Sequence, residues 1–401
     1  MIKKYCLNSS VPTKRNMLKS SIAILLGLAG ISSAEAGQTF QMGPDQSLTL
    51  GFGLRTSYTS VQNGAPDGVS RSNDFSLDSS RLYINGQLNN TIKGTFNTER
   101  DSTTGKIVMM DGITQFEFSN DFNLWAGRLL PPSDRSNLDG PYYLNAWSYP
   151  GVVSNYPNVA IGRDNGAVIW GKPMAGKLVY SIGAFGGHNT YAGGSNASDD
   201  LLYAGRLAIN FLDPEPAPAY YNGSTYYGSN NILTLGLVFQ NQKNGVGNSA
   251  AARGNYNAWN ADLLFEEKVP GDGVVTIEGA YYKYGLGAVD CGSGEPGSFA
   301  CTGNGAANVG GQVAGKAYLA TIEYMFPQKV GMGNLQPFIR VQNFQRDLSQ
   351  TTNKQSDIGV NYVINGANAR ISAVYSKLSD NRLIGALANT NQFILGMQFQ
   401  Y

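Results

Sequence analysis

The feature that most constrains this chain is a period-two alternation of apolar and polar residues, which recurs along most of its length. Between Ser47 and Ser60, for example, positions 48, 50, 52 and 54 are Leu or Phe, and positions 49, 51, 53 and 55 are Thr, Gly, Gly and Arg. Successive side chains of a strand point to opposite faces, so the pattern predicts strands with one apolar and one polar face. After residue 36, no apolar run reaches the roughly eighteen residues of a membrane helix.

Sixteen such segments can be counted, which predicts an all-β chain. The first three are 47–60, 75–88 and 92–100. The others are 106–118, 122–129, 165–172, 177–186, 200–211, 231–242, 256–267, 274–285, 316–326, 335–347, 356–364, 368–378 and 390–401. An even number of antiparallel strands returns both chain ends to the same side of a sheet.

The connections between these segments alternate in length. One set is mostly short: 89–91, 119–121, 172–176, 268–273, 326–334 and 365–366. The other set is mostly long: 61–74, 130–164, 187–199, 243–255, 286–315 and 379–389. The Pro- and Tyr-rich stretch Asp213–Asn230 breaks the rule on the short side, and 101–105 is brief for the long side. Short turns at one end and long loops at the other are typical of outer-membrane β-barrels.

The first 36 residues have the parts of a secretory signal peptide. Basic residues at 14, 15 and 19 precede the apolar run Ile22–Ile31, and Ala34 and Ala36 occupy the small-residue positions of a cleavage site. Met17 is an alternative start, because residues 17–36 alone make a complete signal. The prediction is a mature single-domain chain, 37–401, that begins at Gly37.

Removing residues 1–36 leaves 24 basic and 27 acidic residues, a net charge of −3, which argues against nucleic acid as a partner. Cys6 leaves with the signal. Cys291 and Cys301 remain close together in a Gly-rich stretch, and in an exported protein they are either one loop disulfide or two free thiols.

The polar face of the predicted strands distinguishes between two exported all-β classes. A secreted sandwich buries its apolar face, whereas a membrane barrel turns that face to lipid and lines a water-filled interior with the other. The polar face here carries residues that could not fill a dry core, such as Arg81, Asn85 and Gln87. Aromatic residues near strand ends are expected in interfacial girdles: Tyr58, Trp125, Trp170, Tyr324, Phe326 and Tyr362. The sequence therefore favours the barrel.

Two segments resemble the phosphate-selective porin O and P family of Gram-negative porins. One is Ser80–Leu88 with the following Lys-Gly-Thr-Phe at 93–96, and the other is Asn123–Pro132 with its Gly-Arg-Leu-Leu-Pro-Pro ending. The final strand, apolar at every second position from Phe393 to Tyr401, also resembles an outer-membrane insertion signal, with Tyr in place of the usual Phe. The resemblance implies a homotrimeric porin in outer-membrane lipid. The even mixture of acidic and basic residues departs from an arginine-laddered phosphate channel.

The longest predicted loop, Leu130–Asp164, occupies the place of the third loop that narrows general porins. We expect it to fold into the barrel; the alternative is an extracellular loop packed at a trimer axis. Its Tyr, Pro and Asn content suits a packed loop. Asp134 and Asp139 lie on it.

Charged residues on the polar face predict where ions would be selected. Arg55, Arg81, Arg340, Arg346 and Arg370 lie on strands near the two chain ends, which meet when a barrel closes. Asp262, Glu278 and Glu323 share the polar face in the second half. The hypothesis is a constriction with arginines on one wall and Asp134 and Asp139 on the loop. The alternative is that each arginine makes a structural ion pair with a neighbouring strand.

These features predict a channel for passive diffusion of small hydrophilic solutes and ions. An outer-membrane enzyme is disfavoured, because the sole histidine, His188, lies in a predicted surface loop, and the sequence contains no metal-ligand constellation, cofactor motif or phosphate-binding loop. A non-conducting barrel that acts as a surface adhesin or structural protein remains the main alternative, with a soluble secreted sandwich behind it.

Overall fold

The computed structural model describes residues 37–100, 105–154, 156–157, 162–187, 199–247, 253–287, 314–347, 349–381, 383 and 388–401. The predicted signal peptide, His188, Cys291 and Cys301 lie outside these residues. Signal cleavage and the loop disulfide therefore stay predictions. In the part of the chain that is described, no helix is both long enough and apolar enough to cross a membrane.

The described chain is built almost wholly from antiparallel strands. They are β1 Gln38–Gln41, β2 Ser47–Val61, β3 Ser72–Gln87, β4 Ile92–Arg100, β5 Ile107–Glu117, β6 Asn123–Leu129, β7 Asp164–Gly171, β8 Leu178–Phe185, β9 Leu202–Asn210, β10 Ile232–Gly247, β11 Arg253–Lys268, β12 Val274–Gly285, β13 Gly315–Met325, β14 Lys329–Val330, β15 Gly333–Arg346, β16 Thr352–Asn365, β17 Ala369–Asp380 and β18 Asn389–Gln400. One α-helix, α1 (Arg135–Tyr143), and a short 3₁₀ turn, Met174–Gly176, complete the set.

Sixteen of these strands form a closed barrel. Each strand from β2 to β12 pairs with the next, β13 pairs with β15, and β15 to β18 continue in order. The ring closes where β18 pairs with β2, with Leu395 opposite Tyr58. The short strands β1 and β14 add a few residues of pairing beside β2 and β15. The predicted sixteen-stranded antiparallel barrel is confirmed.

Strand edges differ from the prediction mainly at the loop-bearing end. β10 runs to Gly247 and β16 begins at Thr352, because hairpin pairing continues past the point where the apolar alternation fades. The sequence also missed β1, which has only four residues. Ladder bonding does not require an apolar face, so periodicity underestimates such strand ends.

The barrel is apolar on its exposed face and polar on its buried face. In β2 the large apolar side chains Leu50, Phe52 and Leu54 are exposed, whereas Arg55 and Ser57, which follow on the opposite face, are buried. The same inversion recurs around the ring. Further exposed apolar residues are Leu82, Phe96, Ile182, Leu237, Phe239, Trp259, Ile322, Ile339, Ile358, Leu395 and Met397. Exposed apolar surface costs about 25 cal/mol per Å² in water, so this outer face requires an apolar solvent.

Two connections pack against the interior face. The first is the β6–β7 loop, residues 130–163, which contains α1. The second is the β9–β10 segment, residues 213–230, which lies at the end of the barrel that carries the short turns. We call this the turn end and the opposite one the loop end. Together the two connections and the wall of β5–β13 enclose an apolar cluster that includes Trp125, Leu138 and Tyr220.

Candidate functional site

Strand alternation places most of the charged residues of the barrel wall on its interior face. Every one of the following is buried: Arg55, Arg81, Glu99, Asp111, Arg206, Asp262, Glu266, Glu278, Glu323, Arg340, Arg346, Asp357 and Arg370. A charge removed from water is costly unless it is paired or hydrogen-bonded, so the partners of these groups define what the interior can do.

The buried charges cluster by sign in two arcs of the ring, although Asp357 on β16 and Asp380 on β17 lie within the basic arc as partners of its arginines. Arg55, Arg81, Arg340 and Arg370 lie on β2, β3, β15 and β17, an arc that includes the closing seam. Four carboxylates lie on the consecutive strands β11–β13: Asp262, Glu266, Glu278 and Glu323. Arg206 on β9 is bound to the acidic arc, with Nη1 and Nη2 at 2.5 and 2.7 Å from Asp262.

Three arginines of the basic arc hold one stretch of the β6–β7 loop. Arg370 donates to the carbonyl oxygen of Leu144 at 2.7 Å, Arg55 to that of Trp147 at 2.6 Å and Arg340 to that of Ser148 at 2.8 Å. The Arg55 guanidinium also lies 3.9 Å from the centre of the Trp147 ring, a cation–π contact. Backbone carbonyls that no sheet or helix uses are thereby satisfied by charged donors.

The other two predicted arginines are held by carboxylates. Arg81 pairs with Glu99 on the adjacent strand β4, and Arg346 binds Asp380 on β17 at 2.8 and 3.1 Å. Arg340 combines both roles, since its Nε donates to Asp357 on β16 at 2.7 Å. The structure therefore supports the ion-pair reading for these three residues and gives Arg55 and Arg370 a different role as anchors of the loop.

Strand glycines allow the loop to approach the wall closely. A Cβ atom added to Gly53 would lie 2.7 Å from the Tyr142 ring, and one added to Gly396 would lie 2.4 Å from the Trp147 ring. Real side chains do not approach so closely. The two aromatic rings of the loop therefore occupy space that only glycine leaves free on β2 and β18.

Asp134 and Asp139 are buried on the acidic side of the interior. Asp134 is the N-cap of α1 and accepts hydrogen bonds from the backbone N–H and the side-chain amide of Asn137 at 3.3 and 2.9 Å. Burial and then the nearby Asp262 carboxylate raise the pKa of Asp134 to about 6. Burial, followed by the negative charge of Glu278, raises the pKa of Asp139 well above its usual range. Both carboxyl groups are therefore buried and hydrogen-bonded to neighbouring side chains, and neither is exposed to solvent as a free charge.

Arg135, the first residue of α1, makes a set of contacts that the sequence pattern does not predict. Its guanidinium donates to both carboxylate oxygens of Glu215 at 2.8 Å and to the carbonyl oxygen of Gly223 at 2.7 Å. Both acceptors belong to the β9–β10 segment. The signal that could have found them was the unusual length of Asp213–Asn230 on the short-turn side.

Trp125 and Trp170 were predicted in interfacial girdles, and the structure shows that this was wrong. Both are buried on the interior face, with ring centres 5.4 Å apart. Tyr220 of the β9–β10 segment packs 5.7 Å from the Trp125 ring and 6.4 Å from the Trp170 ring. β6 and β7 are apolar on both faces, so their alternation does not indicate which face is interior.

A cavity of about 330 Å³ opens at the turn end. It is lined by Asn90, Glu117, Phe118, Ser119, Asn120, Asn123, Trp170, Lys172 and Ala219. Lys93 and Glu117 on adjacent strands form an ion pair at 2.5 Å, and both side chains keep part of their surface exposed. Within the described ranges, no cluster of three or more His, Cys, Asp or Glu residues is arranged to hold a metal ion.

Comparisons with known proteins agree on the architecture. No protein-family model and no curated protein matches the chain. The chain is similar to the anion-selective porin from Comamonas acidovorans at 12% identity and a TM-score of 0.56, over 89% of this chain and all of that one. It is similar to Salmonella typhi OmpF, solved with daunomycin, at 9% identity and a TM-score of 0.57 over 91% and 100%. It is also similar to the outer-membrane channel DcaP of Acinetobacter baumannii, at 12% identity and a TM-score of 0.55 over 91% of this chain and 100% of that one.

The fold is that of the outer-membrane porins. At these identities the similarity shows the fold alone. The resemblance to the phosphate-selective porin O and P family is not confirmed by these neighbours, and it stays a prediction.

Proposed function

We propose that the chain forms a water-filled channel in the outer membrane, through which small hydrophilic solutes and ions diffuse passively. The observation that carries the proposal is the inverted polarity of a closed sixteen-stranded barrel: Phe52 and Trp259 are exposed on the outside, and Arg340 and Asp262 are buried inside. A sixteen-stranded barrel is wide enough to leave an aqueous channel.

The β6–β7 loop is the proposed constriction. Its backbone from Leu144 to Ser148 is held by arginines of the basic arc, and the side chain of Asn145 donates to Glu278 of the acidic arc at 2.7 Å. A loop fixed to both arcs narrows the interior without closing the whole of it. The predicted lining residues Arg55, Arg81, Asp134, Asp139, Arg340, Arg346 and Arg370 belong to this proposal.

Three further parts of the proposal concern assembly. Residues 1–36 direct export and are removed, which the mass of the protein purified from outer membranes would test. The exposed apolar band lies in outer-membrane lipid. A homotrimer follows from the porin resemblance, and three-step closures of single insertions would support it.

Single-channel recording tests the central claim. Purified protein in a planar bilayer should give stepwise, ohmic openings, and the reversal potential in a salt gradient should report which sign of ion passes more easily. Protein that inserts, as shown by heat-modifiable migration, but gives no openings in any salt would contradict a channel.

One observation favours the alternative, a non-conducting barrel with an adhesive or structural role. Most charged interior residues at the middle of the barrel are less than a tenth exposed, because both interior connections pack on them. Silence of the inserted protein would favour this alternative, with its function in the connections at the loop end.

A further inference from the structure

The β9–β10 segment is an insertion that its hairpin does not need. Strand pairing continues past β9 and β10, since Phe211 N–H donates to Leu233 O and Asp213 N–H donates to Asn231 O, each at 2.8 Å. Two antiparallel strands at that spacing can be joined by a two-residue turn. Residues 214–230 are instead rich in Pro and Tyr and turn back against the interior face.

The segment is fastened to the β6–β7 loop by hydrogen bonds and an ion pair. The Arg135–Glu215 pair is bidentate, and its side chains are only 1% and 8% exposed. Ser224 binds the loop twice, through its N–H to Tyr143 O at 3.1 Å and through its hydroxyl to the Asp139 carboxylate. A buried bidentate pair combines strength with fixed geometry, so the two connections behave as one body.

The segment is also fastened to the wall. Glu266 on β11 accepts hydrogen bonds from the Thr225 hydroxyl and the Gly228 N–H, both at 2.7 Å, and from the Tyr226 N–H at 3.0 Å. On the other side, Tyr220 packs on the tryptophans of β6 and β7 and donates to Leu130 O at 2.8 Å. The segment therefore spans the interior between β6–β7 and β11.

The uncovered part of the turn end lies beside β3–β5. Gln87, Lys93, Thr95 and Glu117 are interior residues that keep part of their surface exposed. Glu117 also lines the cavity of about 330 Å³, whose rim includes Asn120, Lys172 and Ala219, the last of these contributed by the β9–β10 segment itself.

We propose that the β9–β10 segment is a second restricting element of the channel, which acts from the turn end and leaves the opening beside Glu117 and Lys172 as the passage for solutes. The inference rests on the proposed function and adds to it. The β6–β7 loop alone sets a constriction at mid-barrel, whereas the second element sets the width and position of the exit at the turn end.

Shortening the segment tests the inference directly. In a background with Cys291→Ser and Cys301→Ser, residues 214–230 are replaced by Asn-Gly, which suits a two-residue hairpin turn. Single-channel conductance should rise about two-fold or more, because a wide barrel would then be restricted at one level only. A silent parent with a conducting shortened variant would also support the inference. Unchanged conductance would overturn it while leaving the porin proposal intact, and silence of both proteins would overturn both.

Two milder variants keep the test valid if the shortened chain does not fold. Glu215→Gln removes the negative charge of the Arg135–Glu215 pair and should produce additional openings of larger conductance. Glu267→Gln, an exposed carboxylate at the same end, is the matched control and should leave the openings unchanged. If the two variants gave the same openings, the Arg135–Glu215 pair would not be what holds the β9–β10 segment in place.

Cysteine modification locates the exit. Asn120→Cys, in the Cys-free background, places a thiol on the rim of the cavity, and Lys329→Cys places one on the exposed short strand β14 at the same end. A cationic methanethiosulfonate reagent added at the turn end should reduce conductance of the Asn120→Cys protein by about half and leave that of Lys329→Cys unaltered. Full modification of Asn120→Cys without any loss of current would exclude this opening as the exit.

Discussion

A charged residue on the interior face of this barrel can either line the pore or hold the β6–β7 loop in place through hydrogen bonds to its backbone. Parity along each strand places the arginines and carboxylates on the correct face from sequence alone. Their partners depend on where the β6–β7 loop lies, which no local pattern encodes. Arg370 illustrates the difference: its face was predictable, but its hydrogen bond to Leu144 O was not.

Asp134→Asn should stabilise the protein at neutral pH. The folded-state pKa of Asp134 is raised to about 6 by burial and Asp262, so between the unfolded value and that pH the folded state holds a proton that the unfolded state has lost. The free energy of unfolding therefore falls as pH rises through this window. Asn keeps the helix cap and carries no charge, so the gain should be about 1–3 kcal/mol near pH 7.5 and vanish near pH 3.5.

The measurement is urea unfolding of the two proteins in lipid vesicles at both pH values. Asp67→Asn is the control, because hydrogen bonds from Ser70 and Val69 lower the pKa of this exposed carboxylate. Its substitution should bring no gain at neutral pH. A gain for Asp134→Asn that is equal at both pH values would contradict the assigned pKa.

Arg340→Ala should shift ion selectivity toward cations. The change removes a positive charge from the basic arc and one of the bonds that hold Ser148. The reversal potential should report a change of about two-fold in the permeability ratio. Lys354→Ala, which removes one positive charge from an exposed strand position, is the control. Identical reversal potentials for Arg340→Ala and the unmodified protein would remove Arg340 from the proposed constriction.

At the scale of elements, strands and interior connections differ in what specifies them. A strand with one apolar face is specified by its own period-two pattern, so most barrel strands could be predicted within a few residues of their ends. The β9–β10 segment depends on Arg135, Glu266 and two tryptophans that are distant in sequence. Composition showed that it was unusual, but only tertiary partners decide that it turns inward.

Gly396→Ala should disturb the β6–β7 loop without breaking the barrel. The added methyl group would overlap the Trp147 ring, and forced overpacking of this kind costs about 1–3 kcal/mol. Gly279→Ala is matched to it, because its new Cβ would meet nothing closer than a carbonyl oxygen at 3.9 Å. We expect noisier, altered conductance for Gly396→Ala alone, with both proteins migrating as folded barrels. Indistinguishable recordings would show that Trp147 does not fix the loop.

At the scale of the whole molecule, the four tryptophans report the direction of each face. Trp125, Trp147 and Trp170 are buried, whereas Trp259 is 47% exposed on the outer face beside Tyr281. In vesicles of brominated lipid, only Trp259 should be quenched strongly. Trp259→Phe should therefore abolish most of the quenching, and Trp147→Phe should not. Strong quenching that survives Trp259→Phe would contradict the assignment of the outer face.

The seam between β18 and β2 has a consequence for how the molecule is assembled. Phe52 and Tyr401 exchange backbone hydrogen bonds at 2.7 and 2.8 Å, which joins the two most distant barrel strands of the chain. Until that pairing forms, the sheet has two unpaired edges, and hydrocarbon contains no water to satisfy their N–H and C=O groups. For the proposed outer-membrane channel, partly inserted sheets are therefore strongly disfavoured. The strands would have to enter the bilayer as a set, and this long-range pairing would make closure a slow, cooperative step during which the chain depends on protection from aggregation.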